Sequence, residues 1–411
     1  MSYTLLLDLD DTLLINPITG FLPAYLQALS SHLAPYADPE LIVKSLLGGT
    51  RRMIANQQPD CTLEEVFADY FYNALGIPPQ ALEQPIDQFY TEVYPALKSI
   101  TAPHPHAVQL VESAVQRGYR LVIATNPLFP RTAIVQRLAW AGLSPEKYPF
   151  ALIPSMEAIH FAKPNPALFA ELLAQLGWPD GPVIMVGNDF QNDIAPALEL
   201  GFSAYWVSNG SLSPPSGSYA PSASGDLRGL LPWLDSMPIA TLQSNFNTPS
   251  AQVAILRSTP AALDQFCRRL DATAWSRRPA SDEWCPTEIV CHMRDVDREV
   301  NMQRVEKVLS QDNPFLPGED TGPWAEQRNY IEQDGRNALL RFSAARRRLL
   351  DLLLSLSPQD WLRPARHAIF GPTTLQEIVT IITAHDRLHL RQISQAIQAA
   401  SASRRESLSG E

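Results

Sequence analysis

Four short segments of this chain carry oxygen- and nitrogen-bearing side chains in an order that suits phosphoryl chemistry. The first is Asp8-Leu9-Asp10-Asp11-Thr12. A carboxylate at the end of a buried strand can attack phosphorus and form an acyl phosphate. A second carboxylate two residues on can protonate a leaving alkoxide and then activate water. The second segment, Thr125-Asn126, follows the apolar run Tyr119–Ala124 and offers a hydroxyl and an amide to phosphoryl oxygens. The third, Lys163-Pro164, brings a cation that offsets charge on nucleophile and phosphate. The fourth, Gly187-Asn188-Asp189-Phe190-Gln191-Asn192-Asp193, supplies hard oxygen ligands of the kind Mg²⁺ takes. Any one of these alone is weak: a lone Asp-x-Asp is ordinarily a solvated loop, and Asp10 or Asp11 could simply cap a turn. Their combination, in order, is what counts.

The other half of the chain concentrates its chemistry in histidines. His385 and His389 stand at i and i+4, so on one helix they share a face and can hold one cation. His292, on another helical segment, is the natural third ligand, and three protein ligands leave open positions as catalytic metal sites require. Imidazole suits a divalent transition metal such as Zn²⁺, Ni²⁺ or Fe²⁺ better than Mg²⁺. His104 and His106 also lie close in sequence, but in a proline-flanked segment that predicts a solvent-exposed turn.

The elements that must position these groups can be read from hydrophobic patterning. Residues 3–9 form a short apolar run ending in acids, a buried parallel strand. Similar runs recur at Tyr119–Ala124, Val183–Val186 and Ser203–Val207, each preceding or following one of the chemical segments. Helical patterns at Ala107–Arg117, Arg131–Ala141, Pro166–Leu176 and Asp193–Leu200 separate them. Strand–helix alternation predicts an α/β domain with a doubly wound parallel sheet, whose ligands bind at strand ends. Residues 16–102 interrupt the alternation with helical segments such as Leu22–Leu33 and Leu63–Leu75, read as a helical cap inserted after the first strand. Asn209–Ser224 is a Ser/Pro/Gly-rich loop, Asp226–Leu234 a last short helix, and 237–249 a linker. From 250 to 398 the apolar stripes are helical and no strand-like run is expected, which predicts an antiparallel helical bundle. Residues 399–411 are a polar tail expected to be disordered.

Order and spacing of the four segments resemble the haloacid dehalogenase-like hydrolases over residues 1–236. The resemblance implies a Rossmann-like core, a cap of the type inserted after the first motif, and Mg²⁺-dependent hydrolysis of a small phosphorylated metabolite. Carried over residue by residue, Asp8 is nucleophile and metal ligand, and Asp10 is general acid/base, binding metal through its carbonyl. Thr125, Asn126 and Lys163 hold the phosphoryl group, while Asp189 and Asp193 complete the metal shell. Many members read Gly-Asp where this chain reads Gly187-Asn188, so the metal position falls to Asn188 or Asp189, with Asp189 preferred. Dehalogenation is disfavoured, because that chemistry needs no second acid such as Asp10. Residues 250–398, with Trp284, His292, Gly371, Thr374 and the His385/His389 pair, resemble the DinB-like metal-binding four-helix bundles. That resemblance implies a transition metal, and in some members group transfer to a low-molecular-weight thiol. The bundle is alternatively a binding module or the interface of a homodimer.

Composition narrows the partners. The formal net charge is −11, and all of it lies in the first unit: residues 1–238 carry 11 basic and 22 acidic side chains, whereas 239–411 carry 21 of each. Beyond residue 238 the only lysine is Lys307. The shift in basic residue type supports two units of different origin. Neither half has the basic excess of a nucleic-acid-binding protein. The absence of a long apolar run predicts no membrane span, and the first residues lack a signal-peptide pattern. Four cysteines, Cys61, Cys267, Cys285 and Cys291, without a CxxC pair read as reduced thiols, and the protein is expected in the cytoplasm.

Overall fold

The computed structural model describes residues 2–208 and 220–409, with side chains described as far as residue 399. The Ser/Pro/Gly loop read at Asn209–Ser224 falls largely outside these residues. The chain divides into two compact units, residues 1–169 with 180–244, and residues 170–179 with 245–411.

In the first unit the apolar runs form strands β1 (Thr4–Leu7), β2 (Leu14–Ile15), β3 (Ala102–Pro103), β4 (Arg120–Ile123), β5 (Phe150–Leu152), β6 (Val183–Gly187), β7 (Ser203–Val207) and β8 (Ala223–Gly225). Six of them make one sheet in the order β5-β4-β1-β6-β7-β8, parallel throughout. Leu5, Leu6 and Leu7 are wholly buried. A central strand covered on both faces must be apolar at consecutive positions, which is why β1 does not alternate. Leu7 pairs with Ile123 on one side and Val186 on the other. That register carries the residues after β1, β4 and β6 to the same edge, at the point where strand order reverses.

The helical insertion leaves the core through β2 and returns through β3. These two pair antiparallel, Leu14 with Pro103 and Ile15 with Ala102, so both connections lie side by side. Between them run helices Ile18–Leu33, Pro39–Ala55, Leu63–Leu75 and Pro79–Gln88. The strands β5 and β8 were not legible as apolar runs: each has three residues at a sheet edge, and their alternating exposure leaves little pattern.

The second unit is helical, with long helices Pro249–Cys267, Pro286–Val296 continuing into Met302–Ser310, Gly335–Leu354 and Leu375–Ser409. Pro249–Cys267 packs against both Gly335–Leu354 and Leu375–Ser409, and Pro286–Val296 packs against the same two helices. Leu256, Val305, Leu349, Leu353, Ile378 and Ile382 share their core. The expectation that this half holds no strand is corrected by a small sheet of β9 (Phe315–Leu316), β10 (Pro364–His367) and β11 (Gly371–Thr374). These strands are two to four residues long and include Pro364 and Pro372, so hydrophobic periodicity cannot reveal them. A second correction concerns the end of the chain. The last helix runs to Ser409 instead of stopping at 398, because no proline or glycine between Leu375 and Ser409 terminates it. Among the described residues no helix is long and apolar enough to cross a membrane.

One buried cation ties the four long helices together. The Arg346 guanidinium, 1% exposed, donates to Asp297 (Nε–Oδ2 2.8 Å, Nη2–Oδ1 3.0 Å) and to Asp386 (Nη2–Oδ1 3.0 Å). It also donates to the Leu256 carbonyl at 3.2 Å, and the Thr259 hydroxyl donates to Asp386 at 2.8 Å. Burial works against the guanidinium, but Asp297 and Asp386 hold its pKa above the ordinary value. Arg346→Ala strands two buried carboxylates and should destabilise this unit by about 3–5 kcal/mol in chemical denaturation. A loss under about 1 kcal/mol would show that the network is not what joins the helices.

Candidate functional site

The site in the first unit is assembled by backbone register. Ala124 N–H donates to the Leu7 carbonyl (2.7 Å) and Asp8 N–H to the Val186 carbonyl (2.9 Å), so the ladder extends just past the strand ends. Asp8, Ala124 and Gly187 thereby stand side by side where the neighbouring strands end, and Thr125 is the next residue on. After Asp8 the chain folds back tightly. Leu13 and Leu14 N–H groups both donate to the Leu9 carbonyl at 2.9 Å, and Asp11 takes a left-handed conformation with φ 58°. Asp11 accepts from the Asn16 backbone at 2.8 Å, and this Asx-type contact stabilises the turn.

Lys163 is the electrostatic centre. Its ammonium, 3% exposed, donates to Asp8 Oδ1 at 2.7 Å and to Asp193 Oδ1 at 2.5 Å. The second Asp8 oxygen accepts from the Thr12 hydroxyl at 2.9 Å. Burial raises the Asp8 pKa, opposed by Lys163. Burial and the neighbouring Asp8 push Asp193 up to about 7. For Lys163 burial acts downward, yet Asp193 and Asp8 outweigh it and its pKa lies above the ordinary lysine value. Two buried carboxylates therefore share one ammonium, an excess of negative charge that a divalent cation would relieve. Gly187 lets Asp193 approach: a Cβ there would stand 2.2 Å from Asp193 Oδ2.

Thr125 is buried beside this group. Asn126 reaches it through its amide oxygen, which accepts from the Lys163 backbone at 3.1 Å and fixes the lysine's segment. Asp10 faces the same cavity but on a different partner. It accepts from the Asn16 amide at 2.7 Å and from Arg137, a buried arginine whose guanidinium also lies over the Phe129 ring at 4.6 Å. Arg137 escaped the sequence reading. Its signal was a charge on the apolar face of its helix, between Ile134 and Leu138, both fully buried.

Asn188 and Asp189 are separated by what their side chains do. Asp189 is exposed, and its carboxylate accepts from the Gln191 and Asn192 backbones (2.9 and 3.0 Å) and from the Asn192 side chain (2.7 Å). It is the N-cap of the following turn. Asn188 Oδ1 instead accepts from Thr12 at 3.1 Å, the same hydroxyl that donates to Asp8. The Trp206 indole holds the Asn188 carbonyl at 2.9 Å. Asn188 thus shares the Thr12 hydroxyl with Asp8, whereas the Asp189 carboxylate is taken up in its cap. Asp8, Asn188 and Asp193 together offer an all-oxygen set that could hold a hard cation such as Mg²⁺.

In the second unit His292, His385 and His389 converge. His385 Nε2 lies 3.1 Å from Nε2 of both His292 and His389, and the candidate ligand atoms of all three fall within 4.8 Å of one another. Nitrogens bound to one ion at ~2.0–2.1 Å, at angles between square and tetrahedral, are separated by about 2.9–3.4 Å. Burial and the neighbouring histidines push His292 down to about 3, and burial with His389 does the same to His385, which keeps both rings neutral and able to coordinate. His389 Nδ1 meets Gln392 Oε1 at 2.9 Å, an outer partner that fixes the ring. Trp284 covers the group, its ring parallel to His389 at 6.0 Å between centroids. By contrast His104 and His106 form only a turn, with His106 N–H donating to His104 Nδ1 at 3.3 Å.

Comparison with known proteins follows this division. A model of haloacid dehalogenase-like hydrolases matches residues 4–201, and one of the DinB superfamily matches residues 255–393. The pyrimidine 5'-nucleotidase YjjG of Escherichia coli is 34% identical over 114 residues, which is 27% of this chain and 48% of that protein. The glyceraldehyde 3-phosphate phosphatase of Methanothermobacter thermautotrophicus is 27% identical over 111 residues, 27% of this chain and 47% of that protein. This chain thus spans about half the length of either relative. Among solved structures, YfiT from Bacillus subtilis, with its unusual four-helix bundle topology, aligns at 18% identity and a TM-score of 0.35, covering 38% of this chain and 90% of that one. The chain thus carries a haloacid dehalogenase-like hydrolase domain over residues 4–201 and a DinB-superfamily domain over residues 255–393.

Proposed function

We propose that the first unit is a Mg²⁺-dependent phosphatase acting on a small phosphorylated metabolite, with Asp8 as nucleophile. The observation that carries this reading is the buried Asp8 carboxylate, held by Lys163 and Thr12 at the floor of an open cavity. The hydrolase family and its phosphatase and nucleotidase relatives support it. One Asp8 oxygen attacks phosphorus, the P–O bond to the alcohol breaks, and Asp10 gives its proton to the departing alkoxide. Asp10 then takes a proton from water as that water attacks the acyl phosphate, which frees Asp8 and releases orthophosphate. Lys163, Thr125 and Asn126 orient the phosphoryl group and offset its charge. Asp8, Asp193, Asn188 and the Asp10 carbonyl would hold Mg²⁺, which would supply charge neutralisation on the phosphoryl oxygens.

Asp8→Asn should retain the fold by circular dichroism and lose activity by ~10³-fold or more in a phosphate-release screen of metabolites with Mg²⁺. Comparable turnover by wild type and variant on the same substrate would sink the assignment. The metal position is tested separately. Asn188→Ala should raise the Mg²⁺ concentration needed for half-maximal activity more than Asp189→Ala does. The latter should mainly cost about 1 kcal/mol of stability through the lost cap. The opposite ranking would return the ligand to Asp189.

For the second unit the converging imidazoles favour a bound divalent transition metal, Zn²⁺, Ni²⁺ or Fe²⁺. Elemental analysis of the full chain should find one such ion per chain, absent from His385→Ala and His389→Ala. Because His292 and His385 are pushed down to about 3, protons compete for their nitrogens only far below the ordinary histidine range. Metal should therefore be retained at pH 5. A wild type that neither carries nor takes up metal would contradict the reading.

A further inference from the structure

The cavity over Asp8 reaches deep into the helical insertion, and its walls restrict what a substrate can carry beyond its phosphate. The argument rests on the phosphatase reading above. The cavity volume is about 1280 Å³, larger than the ~300–1,000 Å³ of most small-molecule sites. A three-carbon phosphate would leave most of it filled with water. Phe21, Tyr25, Phe67, Phe71, Tyr72 and Tyr90 line it from the inserted helices. Phe67 and Phe71 stack at 4.9 Å between centroids, and the Tyr25 and Tyr90 hydroxyls bond to each other at 2.8 Å. This wall presents the partly exposed rings of Phe67 and Tyr72, backed by the buried rings of Phe21, Tyr25, Phe71 and Tyr90, an apolar aromatic surface on which a flat aromatic group packs.

Charge points the same way. The inserted helices add Glu64, Glu65, Glu83 and Asp87 to the lining and no lysine, arginine or histidine. Among the described lining residues the only cations are Lys163 and Arg137. Lys163 is engaged by Asp8 and Asp193, and Arg137 by Asp10. A second phosphate or carboxylate on the substrate would meet carboxylates, with no unengaged cation to receive it.

We propose that the substrate is a phosphate monoester of a bulky alcohol that bears an aromatic ring and has the phosphate as its only anionic group. The phosphoryl end sits at Asp8, and the ring lies among the aromatic side chains of the insertion. The P–O bond to this alcohol is the one that breaks, and the alcohol leaves with the Asp10 proton.

The test measures kcat/KM of the full chain with Mg²⁺ on four probes. 1-Naphthyl phosphate and thymidine 5'-monophosphate carry a ring and a single anionic group; glycerol 3-phosphate is small, and fructose 1,6-bisphosphate carries a second phosphate. The two aromatic probes should exceed both others by about tenfold or more. Calorimetric binding of the same probes to Asp8→Asn should keep that order, which separates recognition from turnover. The double substitution Glu83→Lys with Asp87→Lys should raise the bisphosphate several-fold relative to naphthyl phosphate. A preference for glycerol 3-phosphate or the bisphosphate, or no release from either aromatic probe while another is cleaved, would overturn the substrate class and leave the phosphatase reading standing. Failure to release phosphate from any probe or from a wider metabolite panel would overturn both.

Discussion

The first unit depends on one ammonium shared by two buried carboxylates. Lys163 sits between Asp8 and Asp193. Without it these acids would face each other in a low-dielectric edge of the sheet, where like charges cannot both stay ionised. Everything nearby serves that arrangement. The parallel register places the ends of β4, β1 and β6 together. Asn126 pins the backbone of Lys163, and Gly187 gives Asp193 the space of a missing Cβ. The pairing holds more negative than positive charge, a setting that suits a divalent cation, while the Lys163 ammonium is the group that would face a phosphoryl oxygen.

The second unit repeats the motif with different chemistry. Arg346 lies between Asp297 and Asp386, again a buried cation bridging two carboxylates from distant segments. Here the bridge serves architecture: Arg346 and its partners lie on four helices, and Asp386 adjoins His385 in the sequence, so the network also fixes the helix that presents two of the three histidines. A guanidinium can reach two carboxylates with parallel hydrogen bonds, which a lysine could not. The histidine group stays neutral because its burial penalises the charged rings.

Much of this was legible in the sequence wherever the chemistry is local. Asp8 and Asp10 stand two residues apart at the end of an apolar run, and His385 and His389 share a helix face; both patterns survive without knowing the fold. The α/β core and the bundle followed from strand–helix alternation and from helical periodicity. What was not legible depends on tertiary contact. Arg137 meets Asp10 across 127 positions, and only its place on an apolar helix face hinted at it. Asn188 and Asp189 are neighbours, and the rotation of the turn decides which of them faces Asp8. The strands β9 to β11 are too short and too rich in proline to give a period. The cavity wall comes from five segments of the insertion, none of which reads as a pocket alone.

The central claim is that phosphate passes through a covalent bond to Asp8, and trapping that bond tests it most directly. An acyl phosphate is reduced by borohydride to the alcohol, which converts the aspartate to homoserine. Peptide mass spectrometry of the full chain, quenched with borohydride during turnover of a cleaved substrate with Mg²⁺, should find homoserine at position 8. It should be absent without substrate. Turnover with no modified residue, or with the label on Asp10 or Asp193, would contradict the account.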